Sequence, residues 1–331
     1  MSVERKTQIP ILHTIGCASK IGGHLMLENK KAEILLESGT NELELMEFTV
    51  AGQHFGINVA KVDEIIKYGV FPVTPMPNSN PFVEGVFRPR DEIMTVVNLA
   101  SYMGLPPSED EEHDILIVTT FNKLHTAFHV HNVEAIQRIS WTSIEKPDSA
   151  IYGGEEGLAT GIANIDGRLI TIVDFEKIII DISPSAGIQV SDVDKLGQRN
   201  KSLKPILMAE DSPMLERLLI ESLERAGYVN VTCTQNGKEA WEVLKQAKES
   251  GLPLEDQISI LITDIEMPQM DGHRLLKQIR DDSALRKLPV IIFSSLITEE
   301  MYAKGKSLGA TAQITKPEIA SLIGLIDTHI L

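Results

Sequence analysis

Ile258–Gly272 reads ISILITDIEMPQMDG, and this stretch decides the fold of the C-terminal part of the chain. An unbroken run of apolar or small residues, Ile258 to Thr263, ends on Asp264. Met267-Pro268 and Asp271-Gly272 then force a loop before the amphipathic HRLLKQIR. A short continuous run of this kind fits a parallel strand covered on both faces. In open α/β sheets, sites form beyond the carboxyl ends of the strands, and Asp264 falls there. Alone, this aspartate would be no more than a cap for the following helix.

Other stretches end in the same fashion. PILMAE at 205–210 terminates in Glu210-Asp211 before SPMLERLLIESLERAG, PVIIF at 289–293 terminates in Ser294-Ser295, and Thr311–Thr315 runs into Lys316-Pro317. As parallel strands these would bring three carboxylates, a hydroxyl and one ammonium to a single rim. Carboxylates within a few ångströms repel one another unless a cation is present. A hard divalent ion, Mg²⁺ (or Mn²⁺), meets that need through oxygen ligands. Lys316 offers a positive charge on a flexible stem, suited to a phosphoryl oxygen, and Ser294 offers a hydroxyl donor. Such a set suits placing a phosphoryl group on a carboxylate.

On these positions, residues 205–331 resemble the receiver domain of two-component response regulators. The resemblance implies a five-stranded, doubly wound (flavodoxin-like) α/β fold. It implies Asp264 as acceptor of phosphoryl from a histidine kinase, with Ser294 and Lys316 in the catalytic set. It also implies a metal site of Glu210, Asp211, Asp264 and the backbone carbonyl of Glu266, and a cis Lys316–Pro317 bond. The chain departs from the family at Gln313, where a switch aromatic is usual, at the longer connection Glu249–Gln257, and at Glu266, which adds a carboxylate two residues after the acceptor.

The remainder of the chain is of another kind. Its 331 residues exceed one typical domain, 43% of them are hydrophobic, and the formal net charge is −16. That charge argues against a phosphate-backbone binder, so no nucleic-acid partner is expected. The two cysteines, Cys17 and Cys233, show no metal spacing and fit a reducing compartment. No apolar run is long enough for a membrane span, and no signal-peptide core opens the chain. A soluble, cytoplasmic protein without direct membrane insertion is expected.

Four segments follow: an N-terminal extension 1–42, a β-rich domain 43–181, a linker 182–204 and the receiver-like 205–331. In the extension, Lys20–Glu37 is loosely helical in period, is weakened by Gly22-Gly23, and precedes a turn at 38–41. Within 43–181, LELMEFTV, HFGINV, EIMTVVNL, DILIVTTF, LHTAFHV, VEAIQRIS, LATGIANI and RLITIVDF read as short strands, with Asp166-Gly167 a hairpin signal. The linker reading rests on Ser, Gly, Asp and Lys without a clear period.

Residues 43–181 resemble the CheW-like coupling proteins that link chemoreceptors to their histidine kinase. The carrying stretches are 48–59 with Val62–Ile65, Val83–Val86 through Val96–Leu99, and Gly161–Leu169 with Ile172–Asp174. Two small SH3-like five-stranded barrels are implied. At a turn the family writes with Arg-Gly, this chain has Arg90-Asp91, and Asn98 stands for an acid. A CheW-like domain followed by a receiver resembles the CheV-type coupling architecture. That implies a chemotaxis adaptor recruited to membrane chemoreceptor arrays, with a chemotaxis histidine kinase and a methyl-accepting chemoreceptor signalling domain as partners, and phosphorylation at Asp264 serving adaptation or a phosphate sink. It is not implied to be an enzyme beyond its own phosphorylation and dephosphorylation.

Glu64 and Arg90 are candidate partner contacts, with a salt-bridged surface role equally open. His125, His129 and His131 share one strand parity and could hold a metal, but solvated strand histidines are the better expectation. Rival readings are a transcription factor with a receiver, a dehalogenase-type phosphohydrolase, a response regulator outside the receptor array, and an adaptor whose receiver only binds protein. The first lacks a basic or helix-turn-helix segment. The second wants its Asp-x-Asp pair on one strand end, whereas Glu266 occupies that second position.

Overall fold

The computed structural model describes residues 9–10, 24–26, 42–122, 124–145 and 157–330. Cys17, the turn at 38–41 and most of Lys20–Glu37 lie outside the described residues. The chain divides into two compact units, one of residues 1–31, 42–140 and 161–178, the other of residues 32–41, 141–160 and 179–331.

The first unit is built mostly on antiparallel pairing, with one parallel pair in each of its sheets. Its strands are β1 (Ile9–Pro10), β2 (His24–Met26), β3 (Glu42–Val50), β4 (Gln53–Asn58), β5 (Val62–Lys67), β6 (Val83–Phe87), β7 (Met94–Asn98), β8 (Ile115–Phe121), β9 (Leu124–Val130) and β10 (Asn132–Ser140), then, past the two-residue β11 (Ile144–Glu145), which falls among the residues of the second unit, β12 (Ala159–Ile165) and β13 (Arg168–Val173). One sheet runs β1-β10-β3-β4-β13-β12-β11 and the other β2-β5-β8-β9-β7-β6. Without their short outer strands, each sheet retains the five strands that the small-barrel reading expects. β3 lies between β10 and β4 and is buried almost throughout, which explains why both faces of LELMEFTV are apolar. His24–Met26, inside the stretch read as loosely helical, is a strand paired with β5.

Two short helices punctuate this unit, α1 (Leu99–Met103) and α2 (Phe175–Ile182). The second begins where RLITIVDF was expected to continue as strand. Asp174 Oδ1 accepts the Lys177 N–H at 3.0 Å, capping it. Phe175 packs edge-on to Phe48 of β3 at 5.9 Å and against Phe128 of β9 at 4.2 Å between centroids, so one ring touches strands of both sheets. Burying such a ring stabilises by roughly 1.5–3 kcal/mol.

The second unit holds the parallel sheet. Its strands are β14 (Ile206–Ala209), β15 (Val231–Thr234), β16 (Ile260–Thr263), β17 (Val290–Ser294) and β18 (Ala312–Thr315), ordered β15-β14-β16-β17-β18. Helices α3 (Pro213–Arg225), α4 (Gly237–Glu249), α5 (Leu254–Gln257), α6 (Gly272–Asp281), α7 (Glu299–Ser307) and α8 (Ile319–Ile330) alternate with them. This is the doubly wound arrangement expected. β14, β16 and β17 are buried at every position, as strands covered on both faces must be. The long connection after α4 is ordered by α5, and Gln257 Nε2 donates to the Ala247 carbonyl at 3.0 Å.

Residues 182–204 carry more structure than their composition indicated. Two 3₁₀ turns, Pro184–Ala186 and Val190–Leu196, lie here, and Ile188 and Val193 are buried in the same core cluster as Leu219 of α3 and Leu322 of α8. Arg225 holds Asp194 through two bonds of 2.6 Å, and Arg199 donates to Asp327 and to the Ala226 carbonyl. Two apolar side chains and four ionic ones decide the matter against the flexible residues around them.

Candidate functional site

The strand order puts the ends of β14, β16, β17 and β18 side by side. Asp264 follows β16, and its N–H donates to the Ala209 carbonyl of β14 at 3.0 Å, which fixes the acceptor's backbone beside the acidic pair. Lys316 follows β18, and its N–H donates to the Ser294 carbonyl at 3.1 Å. The Lys316–Pro317 bond is cis, as expected.

The side chains converge. Lys316 is 1% exposed, and its Nζ donates to Glu210 Oε2 and Asp264 Oδ2, each at 2.8 Å. Carboxylate oxygens of Glu210, Asp211 and Asp264 lie within 4.8 Å of one another. Burial pushes the Glu210 carboxyl well above its usual range, and Asp264 and Asp211 add to the rise while the Lys316 ammonium opposes it. Three carboxylates therefore face one ammonium. The charge imbalance and the all-oxygen donor set fit a hard divalent cation.

Local chemistry shapes the acceptor loop. Asp264 Oδ1 accepts the Ile265 N–H at 2.5 Å and the Thr263 hydroxyl donates to the Asp264 carbonyl at 2.9 Å, leaving Asp264 Oδ2 for Lys316. Gly272 is required by contact: a Cβ there would lie 1.9 Å from the Asp264 carbonyl oxygen. Asp271 caps α6 by accepting the Arg274 N–H at 2.8 Å. The Met-Pro-x-Met-Asp-Gly pattern is thus a loop bent back onto its own aspartate.

Ser294, the last residue of β17, is buried and its Oγ accepts the Leu296 N–H at 3.3 Å. Glu266 is half-buried in the loop after Asp264. Gln313 lies on β18, donates from Nε2 to the Tyr302 carbonyl of α7 at 2.7 Å, and has a buried Oε1 without a hydrogen-bond partner. A hydrogen bond from the Gln313 amide to α7 stands where the family usually has an aromatic ring.

Far from this rim in sequence, Arg90 and Glu64, for which a salt-bridged role was left open, bond to each other, with Arg90 Nη2 to Glu64 Oε2 at 3.1 Å. The glutamate is 6% exposed and the arginine side chain 50%. The three histidines do not share a role. His125 stays half-exposed near Glu92 and Thr120, and His131 Nδ1 accepts the Ala51 N–H at 2.9 Å. His129 is 5% exposed, which corrects its reading as solvated: β9 is interior to its sheet, and two acidic partners satisfy the ring. Neither those partners nor the Gln313 bond could be read from spacing, although the shared parity of the histidines marked the right face. Among the described residues, the acidic trio at the rim is the one group with metal-ligand spacing.

Comparison with known proteins follows the same division. The profile of the CheW-like domain matches residues 44–183, and that of the response regulator receiver domain matches residues 206–327. The chain is 29% identical over 288 residues to chemotaxis protein CheV3 of Helicobacter pylori, covering 83% of this chain and 91% of that one. It is 30% identical over 285 residues to chemotaxis protein CheV2 of the same organism, covering 82% and 88%. Chemotaxis protein CheW of Thermotoga maritima is 29% identical over 153 residues, covering 46% of this chain and 98% of that protein.

Proposed function

The chain belongs to the CheV family of chemotaxis proteins, and on that premise we propose that it couples chemoreceptors to a histidine kinase under the control of phosphorylation at Asp264. The CheW-like domain holds the receptor signalling domain and the kinase, with Glu64 and Arg90 as contact residues. The observation that carries the phosphorylation reading is the double hydrogen bond of Lys316 to Glu210 and Asp264, at a rim that also bears Asp211.

In the transfer, an Asp264 Oδ attacks the phosphorus of a phosphohistidine. The O–P bond forms, the P–N bond breaks, and its electron pair returns to the imidazole. Lys316 Nζ leaves its carboxylates to hold a phosphoryl oxygen, and the Ser294 hydroxyl donates to another. Glu210, Asp211, Asp264 and the Glu266 carbonyl would hold Mg²⁺ or Mn²⁺, which supplies neutralisation of the phosphoryl oxygens when bound. The modified receiver shifts between two existing conformations and thereby alters coupling. Among the described residues no helix is long and apolar enough to cross a membrane.

The test mixes the full chain with a chemotaxis kinase and labelled ATP. Acid-labile label is expected on wild type and not on Asp264→Asn, while receptor and kinase binding persist. Label retained on the variant would overturn the acceptor assignment. Receptor-coupled kinase activity separates the outputs: adaptation requires activity to change upon phosphorylation of this chain, whereas a sink only drains phosphoryl groups.

A further inference from the structure

A second buried cation lies between two carboxylates in the coupling domain. His129 of β9 faces Glu84 of β6 through Nδ1 at 2.7 Å to Oε1, and Asp114, just before β8, through Nε2 at 2.8 Å to Oδ2. Carboxylate oxygens only accept hydrogen bonds, so a ring bonded to two ionised acids must carry a proton on each nitrogen. Its plane is fixed by Tyr68, just beyond β5, stacked at 3.9 Å with 7° between rings. The Tyr68 hydroxyl donates to Glu84 Oε2 at 3.1 Å and the Asn98 amide, at the end of β7, to Glu84 Oε1 at 2.6 Å. Ser108 donates to Asp114 Oδ1 at 2.8 Å. Glu111 acts on Tyr68, and His131 lies close enough for His129 to disfavour its charging. Strand ends of β5 through β9 thus meet at one ring.

We propose that Glu84, His129 and Asp114 form a proton-operated clamp: the doubly protonated ring ties β6, β9 and the entry of β8 together, and loss of one ring proton to solvent opens that end of the sheet. Without that proton, a nitrogen lone pair faces a carboxylate oxygen inside the fold. Burial alone would strip the ring of its proton, but the two acids outweigh it and hold the imidazole above its ordinary value. Burial also acts to raise the Glu84 carboxyl, but His129, Asn98 and Tyr68 hold it below its usual range. The sign follows. The clamp's contribution is complete below the unfolded-state value of about 6.5 and is lost as pH rises through the folded value. Where the coupling reading holds, receptor–kinase coupling through this domain weakens in an alkaline cytosol.

The test uses the full chain with isotope-labelled histidine, the His129 signal being identified by its absence from His129→Gln, together with amide exchange corrected for intrinsic rates. His129 is expected to titrate above about 6.5. Protection of residues 83–87 and 115–118 should fall by about tenfold per pH unit between about 6.5 and that midpoint, the slope of a single proton, and level off above it. The slope should vanish in His129→Gln and persist in Asp264→Asn, which separates the clamp from the receiver reading. Should His129→Gln not fold, Glu84→Gln decides, with a lowered His129 midpoint expected. A midpoint at or below 6.5, the same slope in wild type and His129→Gln, or an unmoved midpoint in Glu84→Gln would overturn the proposal.

Discussion

Lys316 in the receiver and His129 in the coupling domain are each a buried cation bonded to two carboxylates at 2.7–2.8 Å. The two sites differ in what can replace the bond. Lys316 hangs on a flexible stem at a rim where a third carboxylate, Asp211, is only half-buried, and in the proposed function an outside cation and a phosphoryl group would enter there and redistribute its partners. His129 is a rigid ring stacked on Tyr68 and enclosed by five strand ends, and the smallest exchangeable species, a proton, is what can change it. On the function and the clamp proposed above, the same charge arrangement would serve ligand exchange in one region and proton exchange in the other.

The sharpest way to break this contrast is Asp264→Asn. Labelled phosphate uptake should fall to background while the His129 titration stays in place, so a variant that moved both would show that the two sites act as one. Next in size is Lys316→Met, which leaves Glu210 and Asp264 buried and facing each other. Removal of one partner of such a set costs about 3–5 kcal/mol, read as a lowered midpoint of receiver unfolding in urea. Added Mg²⁺ should return part of this, about 2.7 kcal/mol at a hundred times its Kd, and a chelator should remove it. No such metal response is expected of the second sheet.

Tyr68→Phe comes third. It keeps the ring stack but removes the hydroxyl bond to Glu84, for a cost of about 0.5–1.5 kcal/mol in the coupling domain. Smallest is Arg90→Ala, expected to cost under about 1 kcal/mol of stability because the guanidinium is half-exposed. Affinity for receptor or kinase fragments, measured on the same variant, should drop more than stability does if Arg90 is a contact residue.

The receiver rim was legible because each of its groups ends a strand and because the loop after Asp264 has its own chemistry. A run such as ILIT followed by Asp, Met-Pro and Asp-Gly has few other foldings, and the Gly272 approach to the Asp264 carbonyl accounts for the glycine in that loop. The coupling domain's cluster was not legible. Glu84, Asp114 and His129 meet only through the pairing of β6 with β7, β7 with β9 and β9 with β8, and that register is set by hydrophobic packing across the whole sheet. β5 and β6 were recognised by resemblance and not as strands, since VDEIIK and VEGVF alternate poorly. α2 was hidden by the apolar residues of FEKIII, which continue the preceding strand's pattern into a helix. β15 escaped because VTCT is a short, half-polar edge.

The 3₁₀ turns at 184–196 bear on how this protein is dissected. Ile188 and Val193 fill a trough between α3 and α8 that the sequence boundary at Pro205 would leave bare. A receiver excised there would carry a greasy seam and two unneutralised partners, Arg225 and Asp327, and its clumping would speak of the cut alone. The tether is also the lining, and a partner arriving on that flank must first peel it away.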